Sequence, residues 1–248
     1  MKVSVITTSY NSGHTIKDTL LSVAKQDYAD IEHLIIDGGS RDNTMEVVSR
    51  FPHVKLVLSE KDDGIFHAMN KGLERCTGDI ICFLNSDDWY NSNDVISKVV
   101  RYMQLSECNV AYGDLQYVKQ YNPERIVRTW KSGRYRQQNL YYGWMPPHPA
   151  FFAKKEVYEE VGFFNTQLSN AADYELMLRI LLKHEHDACY IPAVLVKMRL
   201  GGYSNASIKN RLRANNEDHQ AWIMNGLKPS LLTRYLKPIR KIPQFLFR

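Results

Sequence analysis

Five polar clusters in this chain carry side chains that could do chemistry. Asn85-Ser86-Asp87-Asp88 places two carboxylates and an amide oxygen directly after the apolar run Ile80–Leu84. Carboxylates there are costly unless they are solvated, cap a helix or meet a cation. Such oxygens, together with a diphosphate, suit a hard divalent ion, Mg²⁺ or Mn²⁺. The plainer alternative is that Asp87 or Asp88 caps a following helix. Asp37-Gly38-Gly39-Ser40 offers an acid able to accept a hydrogen bond from a base or a ribose hydroxyl. Its glycines permit close backbone approach; the alternative is a strand-to-helix turn with Asp42 as N-cap. Asp62-Asp63-Gly64 leads into a segment bearing Asn70 and Lys71, which also reads as an ordinary capped helix. Asp173-Tyr174-Glu175 precedes an apolar run. A carboxylate near a helix start serves as a general base or as a cap that suits the helix dipole. His148, among Pro146, Pro147 and Pro149, is a metal ligand, an acceptor-binding group or a loop residue.

Alternating elements must position these clusters. Val3–Thr8, Ile31–Asp37, Val54–Leu58 and Asp79–Leu84 read as strands. Ser12–Asp27, Asp42–Arg50, Asp62–Arg75 and Asp94–Met103 read as helices or loop-plus-helix segments between and after them. Strand–helix alternation with short connections predicts a parallel sheet flanked by helices. Ligands bind such sheets at the carboxyl ends of the strands. The clusters at residues 9–11, 37–40 and 85–88 all follow strand ends and are therefore expected on one rim. Beyond Glu107 the pattern predicts a strand over Val110–Val118, a loop-rich stretch over Lys119–Arg136 and a short strand over Ala150–Ala153. A helix over Ala172–His184, a strand over Ala188–Met198, a turn at Gly201–Ser204 and a long polar helix over Asn205–Asn225 complete it.

Composition excludes several classes. With 44% hydrophobic and 24% charged residues in 248, the chain is neither disordered nor fibrous. No apolar run reaches the roughly 20 residues of a membrane helix, and the N-terminus reads as a buried strand rather than a signal peptide. The four cysteines, Cys76, Cys82, Cys108 and Cys189, lie far apart without a CxxC and read as reduced, cytoplasmic thiols. No GxGxxG, GxxxxGK[ST], GxSxG or HExxH is present. A bound diphosphate would thus rely on a metal ion and side chains. The net charge of +5 is too weak and scattered for a nucleic-acid partner. Lys228–Arg248 nevertheless carries six basic residues and no acidic one, interleaved with Leu231, Leu232, Tyr235, Leu236, Ile239 and Phe245. That tail either rests on an anionic membrane surface or packs on the domain.

Four ordered segments resemble the family 2 (GT-A fold) inverting glycosyltransferases. They are Val5–Asn11, Leu34–Thr44 (close to VDGGSxDGT), Ser59–Gly72 (close to SEPDNGIYDAMNKG) and Gly78–Asp88 with its DxD-like end. His148–Phe152 and Ala172–Leu176 extend the resemblance, and Gly201–Ser204 is similar to a turn of colanic-acid-type surface-polysaccharide enzymes. The resemblance implies a Rossmann-like α/β mixed sheet flanked by helices, with a C-terminal helical extension. Residues 1–204 would form the GT-A domain, split into a nucleotide-binding half (1–106) and an acceptor half (107–204), and 205–248 the basic extension. It implies that Thr8, Ser9, Tyr10, Asn11, Gly38, Asn70, Lys71 and Ser86 border the nucleotide. Asp37 would accept from the base, and Asp62 would lie near the ribose or donor sugar. Asp87, with Asn85 and Asp88, would hold Mg²⁺ or Mn²⁺. Asp173 would be the general base, His148 would serve the acceptor, and Arg179 would serve the acceptor or the diphosphate or simply brace the helix. Asn85 at the first DxD position, His67, and Lys61-Asp62-Asp63 depart from the family pattern.

The expected activity is metal-dependent, inverting transfer from a nucleotide sugar, UDP-linked by preference, to a lipid-linked glycan at the inner face of a bacterial membrane. A polyprenyl-phosphate sugar synthase is the alternative within enzymes. A non-catalytic nucleotide-sugar or glycan-binding module is the alternative outside them.

Overall fold

The computed structural model describes residues 1–201 and 208–230, with positions 233, 236, 237, 240 and 244. The expected turn from residue 202 onward, the first residues of the expected polar helix and most of the basic tail lie outside the described residues.

Strands β1 (Val3–Ser9), β2 (Ile31–Asp37), β3 (Val54–Ser59) and β4 (Ile80–Phe83) lie in the order β3-β2-β1-β4, all parallel. Every residue of β1 and β4 is buried, as in parallel strands covered on both faces. Helices α1 (Ile16–Ala24), α2 (Thr44–Ser49) and α3 (Ile65–Arg75) make the crossovers. The inner face of α3 is Ala68, Met69, Gly72 and Leu73, spaced for one side of a helix. A Cβ on Gly72 would lie 2.5 Å from Ile6 Cγ2. Glycine therefore lets α3 lie directly on β1.

Beyond β4 the pairing changes. β8 (Phe151–Lys154) runs antiparallel to β4, and β6 (Val110–Lys119) antiparallel to β8. β9 (Ala188–Arg199) is parallel to β6, and β5 (Asp88–Tyr90) antiparallel to β9. Among the described residues the sheet has nine strands and is mixed. The parallel sheet expected from alternation alone covers only its first four strands. Helix α4 (Val95–Ser106) seats Val95, Ile96, Val99, Val100 and Met103 in the core on one side of the sheet.

The loop-rich stretch expected over Lys119–Arg136 is instead largely strand β7 (Asn122–Trp130), antiparallel to β6. Its exposed Asn122, Glu124 and Arg125 read as loop, yet the ladder to β6 satisfies its backbone. Helices α5 (Gln137–Tyr141) and α6 (Lys155–Val161) also lie outside the expected elements. α7 (Ala172–Leu178) continues through a π-helical turn, Arg179–Lys183, so the helix expected over Ala172–His184 is present. α8 (Ile208–Met224) lies against α7. Trp222 is fully buried there and donates Nε1–H to the Tyr174 hydroxyl at 3.0 Å.

Candidate active site

The three polar clusters at the ends of β1, β2 and β4 meet on one rim, tied by their own hydrogen bonds. Asn11, at a positive φ of 49°, donates its N–H to Ser40 Oγ at 2.8 Å and accepts from Arg41 N–H at 2.9 Å. Ser86 Oγ meets Ser12 Oγ at 2.8 Å, and Thr8 Oγ1 donates to Asn85 Oδ1 at 3.3 Å. Gly38 N–H donates to Ser9 O at 2.8 Å. Tyr10 stands out from the rim, 63% exposed. Gly39, at φ 79°, has its Cα side against the Lys61 backbone, where a Cβ would sit 3.3 Å from Lys61 N. That conformation and that contact both favour glycine.

Asp37 is buried and fully occupied. Its carboxylate accepts from Ser9 Oγ (2.9 Å), Ser40 Oγ (2.5 Å), Ser59 Oγ (2.7 Å), Ser40 N–H (2.8 Å) and Gly39 N–H (3.2 Å). Burial pushes the carboxyl up, but hydrogen bonds from Ser40, Ser59 and Ser9 outweigh it and hold it below the usual carboxylate range. Five donors fill the lone pairs of one carboxylate. Asp37 therefore builds the loop, with its carboxylate oxygens engaged by protein donors. Asp62 is placed differently. Its Oδ1 accepts from Gly64 N–H at 3.0 Å, and its Oδ2 would lie 2.9 Å from a Cβ on Gly38. The Asp62 carboxylate thus occupies the space that a side chain at position 38 would take.

The turn Asn85–Asp88 leads into β5 rather than into a helix, so neither Asp87 nor Asp88 is a helix cap. Asp88 is completely buried. Its Oδ2 accepts from Asn85 Nδ2 at 3.4 Å, and its Oδ1 has no hydrogen-bond partner among the described residues. Burial, then the neighbouring Asp87, pushes the Asp88 carboxyl well above its ordinary range. Burial also raises Asp87, which is half-buried. Thr19 Oγ1 donates to Asp88 O at 2.6 Å, which ties the turn to α1. Arg199 closes the other side. Its Nη1 donates to Asp87 O at 3.1 Å, Nη2 pairs with Asp18, and the guanidinium lies 4.5 Å from the centre of the Trp89 ring.

Among the described residues no group of three or more His, Cys, Asp or Glu is arranged to hold a metal ion by itself. Asp87, Asp88 and Asn85 still fit a hard cation. They offer hard oxygen donors, one of them an orphaned acid oxygen, and two acids whose ionised forms need a positive partner. The remaining ligands would come from substrate and water.

On the other half, Asp173 lies in the first turn of α7 and accepts from Tyr174 N–H at 2.8 Å. Glu217 of α8 sets that helix start, accepting from Asn170 N–H at 2.6 Å and Ala171 N–H at 3.2 Å. His148 stacks on Phe83 (centroids 5.4 Å apart) and meets Phe164 edge-on. Burial pulls its imidazole down despite the Asp173 charge, so it is neutral. Tyr117 is buried on β6. Burial raises its hydroxyl, and both Asp88 and Asp173 add to the rise, while the Arg128 guanidinium, 3.8 Å from its ring centre, opposes it.

Three expected site residues have partners elsewhere. Asn70 clamps the backbone of Phe164 with both ends of its amide, at 2.9 and 3.0 Å. Arg179 donates to Val161 O (2.6 Å) and Phe163 O (2.7 Å) and pairs with Glu175 (2.9 Å), so it braces its helix. Lys71 pairs with Glu60 at 2.8 Å. Tyr117, Arg199 and Glu217 escaped the sequence reading. A charged residue at the end of an apolar strand was the one available signal, and it marks Arg199 alone.

A mixed sheet with this polar rim is the GT-A glycosyltransferase architecture. Solved structures that share it include the following two. One is Staphylococcus aureus TarS 1–349 in complex with UDP-GlcNAc (TM-score 0.70, 18% identity, 95% of this chain and 69% of that one). The other is the mannosyltransferase PcManGT from Pyrobaculum calidifontis with GDP-Man and Mn²⁺ (TM-score 0.66, 20% identity, 97% and 69%). In sequence, an uncharacterised glycosyltransferase of Mycobacterium tuberculosis is 31% identical over 186 residues, covering 73% of this chain and 69% of that protein. Residues 4–162 match the glycosyl transferase family 2 model, and the chain belongs to that family. It is a glycosyltransferase.

Proposed function

We propose that this enzyme moves a sugar from a nucleotide donor, UDP-linked by preference, to a hydroxyl of a lipid-linked bacterial glycan. The transfer inverts the anomeric carbon and uses a divalent metal. One observation carries the reading: hydrogen bonds tie the polar turns after β1, β2 and β4 into one rim, and the buried Asp88 in that rim keeps a carboxylate oxygen without a partner among the described residues. The UDP-GlcNAc of TarS and the GDP-Man and Mn²⁺ of PcManGT support a nucleotide-sugar donor and a metal.

In this reading Thr8, Ser9, Tyr10, Asn11, Gly38 and Ser86 border the nucleotide, and Asp62 accepts from its base or ribose. Asp87, with Asp88 and Asn85, would hold Mg²⁺ or Mn²⁺, which when bound stabilises charge growing on the leaving diphosphate. Asp173 takes the proton of the attacking hydroxyl as its oxygen bonds to the anomeric carbon. The bond to the diphosphate oxygen breaks on the opposite side and leaves its electron pair there. Neutral His148 lines the acceptor side. The basic tail contacts an anionic membrane, although Lys237 turns inward, 2.6 Å from Asp218 and 3.5 Å from the Tyr174 ring centre. Among the described residues no helix is long and apolar enough to cross a membrane.

Thermal-shift screening against UDP-, GDP-, CMP- and dTDP-sugars, with and without Mn²⁺, tests the donor, because a specific ligand stabilises the native state by mass action. One sugar nucleotide that shifts Tm only with metal is the expected result. No shift with any of them reopens the binding-module alternative. Chain truncated after Gly226 should lose partitioning to anionic vesicles, and unchanged partitioning would end the membrane part of the proposal.

A further inference from the structure

Two of the four cysteines meet in space. Cys108, in the turn between α4 and β6, and Cys189, at the second residue of β9, lie 81 positions apart in sequence with their Sγ atoms 2.7 Å apart. The parallel ladder brings them together, since Ala111 pairs with Cys189 and Val110 with Ala188. Cys108 is buried, but Cys189 is half-exposed and offers solvent a way to the pair.

We propose that Cys108 and Cys189 form a thiol-oxidation site, closed to an intramolecular disulfide by a hydroperoxide. The thiolate of Cys108 attacks the peroxide oxygen, the O–O bond breaks and the alcohol or water leaves. The Cys189 thiol then attacks the resulting sulfenic acid, water leaves, and one S–S bond forms. The two thiols lose two electrons and two protons, and the hydroperoxide is reduced by the same two electrons.

The surroundings select Cys108 as the first nucleophile. The hydrogen bond shared by the two Sγ atoms, and then the Lys154 charge, favour the Cys108 thiolate below the ordinary cysteine range. Lys154 is held there by Asn109 Oδ1 at 3.1 Å. The other two cysteines provide an internal contrast. Burial pushes Cys76 up to about 11 and Cys82 up to about 12, and both are buried and inert to solvent oxidants. The proposed bond closes a long loop and so constrains the unfolded chain strongly. It lies at the opposite end of β9 from Arg199 and the acidic turn, so donor binding continues in the oxidised protein.

The test uses the reduced full-length chain. It is treated with hydrogen peroxide, unfolded, alkylated with iodoacetamide and mapped under non-reducing conditions. The expected result is one linked peptide pair, Cys108 to Cys189, lighter by two hydrogens, with Cys76 and Cys82 fully alkylated. The linked form should melt several degrees higher than the reduced form, and Cys108→Ser and Cys189→Ser should each abolish both the link and the shift. Recovery of Cys108 and Cys189 both alkylated after peroxide treatment would overturn the proposal. So would a link that appears only between chains.

Discussion

Asp37 and Asp173 are both acids at the edge of an apolar segment, one in each half of the molecule. Asp37 receives five hydrogen bonds from four residues at three strand ends and is buried. Asp173 is half-buried, and among the described residues its one hydrogen bond comes from Tyr174 N–H. The donor-side rim is thus fixed by polar bonds among its own loops. The wall carrying Asp173 is fixed by packing and by a helix start that Glu217 caps from α8. A saturated carboxylate organises a loop, whereas an acid with free lone pairs can accept a proton. The difference separates building residues from reacting ones, which residue type alone does not.

The largest expected effect comes from the acidic turn. Asp87→Ala removes a proposed ligand for a cation that contributes several kcal/mol to transition-state stabilisation. A fall in kcat/KM of about 10²-fold or more is expected, together with loss of the Mn²⁺-dependent Tm shift. Equal activity of variant and parent would remove the metal role from this turn.

The next contrast sets two neighbouring acids against each other. Asp37→Asn turns an amide toward donors that need an acceptor, at a cost of about 1–3 kcal/mol, read as a lower denaturant midpoint. Asp62→Asn keeps an amide oxygen for Gly64 N–H and should change stability by no more than about 0.5 kcal/mol, yet weaken donor binding. The reverse pattern would return base or ribose contact to Asp37.

Much of this was legible in the sequence. β1 to β4 are short, apolar and bounded by turn residues, and the polar clusters after them met on one rim as expected. The rest depended on contacts distant in sequence. β5 is only three residues long, and β7 is a charged edge strand whose pairing to β6 no periodicity reveals. Asn70 and Arg179 resemble ligand-binding residues by type, yet their polar atoms are held by backbone 94 and 16–18 residues away. The saturation of Asp37 likewise depends on Ser9 and Ser59, which are brought in from neighbouring strands.

Two smaller effects sharpen the comparison. Glu217→Ala leaves the N–H groups of Asn170 and Ala171 unmatched and should cost about 1–2 kcal/mol of stability. Because the cap sets the start of Asp173's helix, kcat should fall more than donor affinity. Equal loss of both would assign Glu217 a purely structural part.

pH provides the smallest and most graded effect. Burial, then His53, lowers the fully buried His33 to about 3, and burial also lowers His148. As pH falls below about 6.5, the unfolded chain binds protons that the folded chain refuses, so stability falls from pH 7 to pH 5. Glu32, held at about 2, titrates below this window. His33→Gln should flatten the slope of Tm against pH between 7 and 5, and an unchanged slope would mean that His33 does not set it.

The central claim is that donor binding and proton abstraction reside in different halves. Asp173→Asn tests it most directly, with donor-nucleotide affinity measured by titration calorimetry and turnover measured on the same preparation. The account predicts a loss of turnover of about 10²–10⁴-fold, the range of a general base, with donor affinity unchanged within a factor of two. Near-full turnover would contradict it and favour a lipid-phosphate acceptor that needs no base.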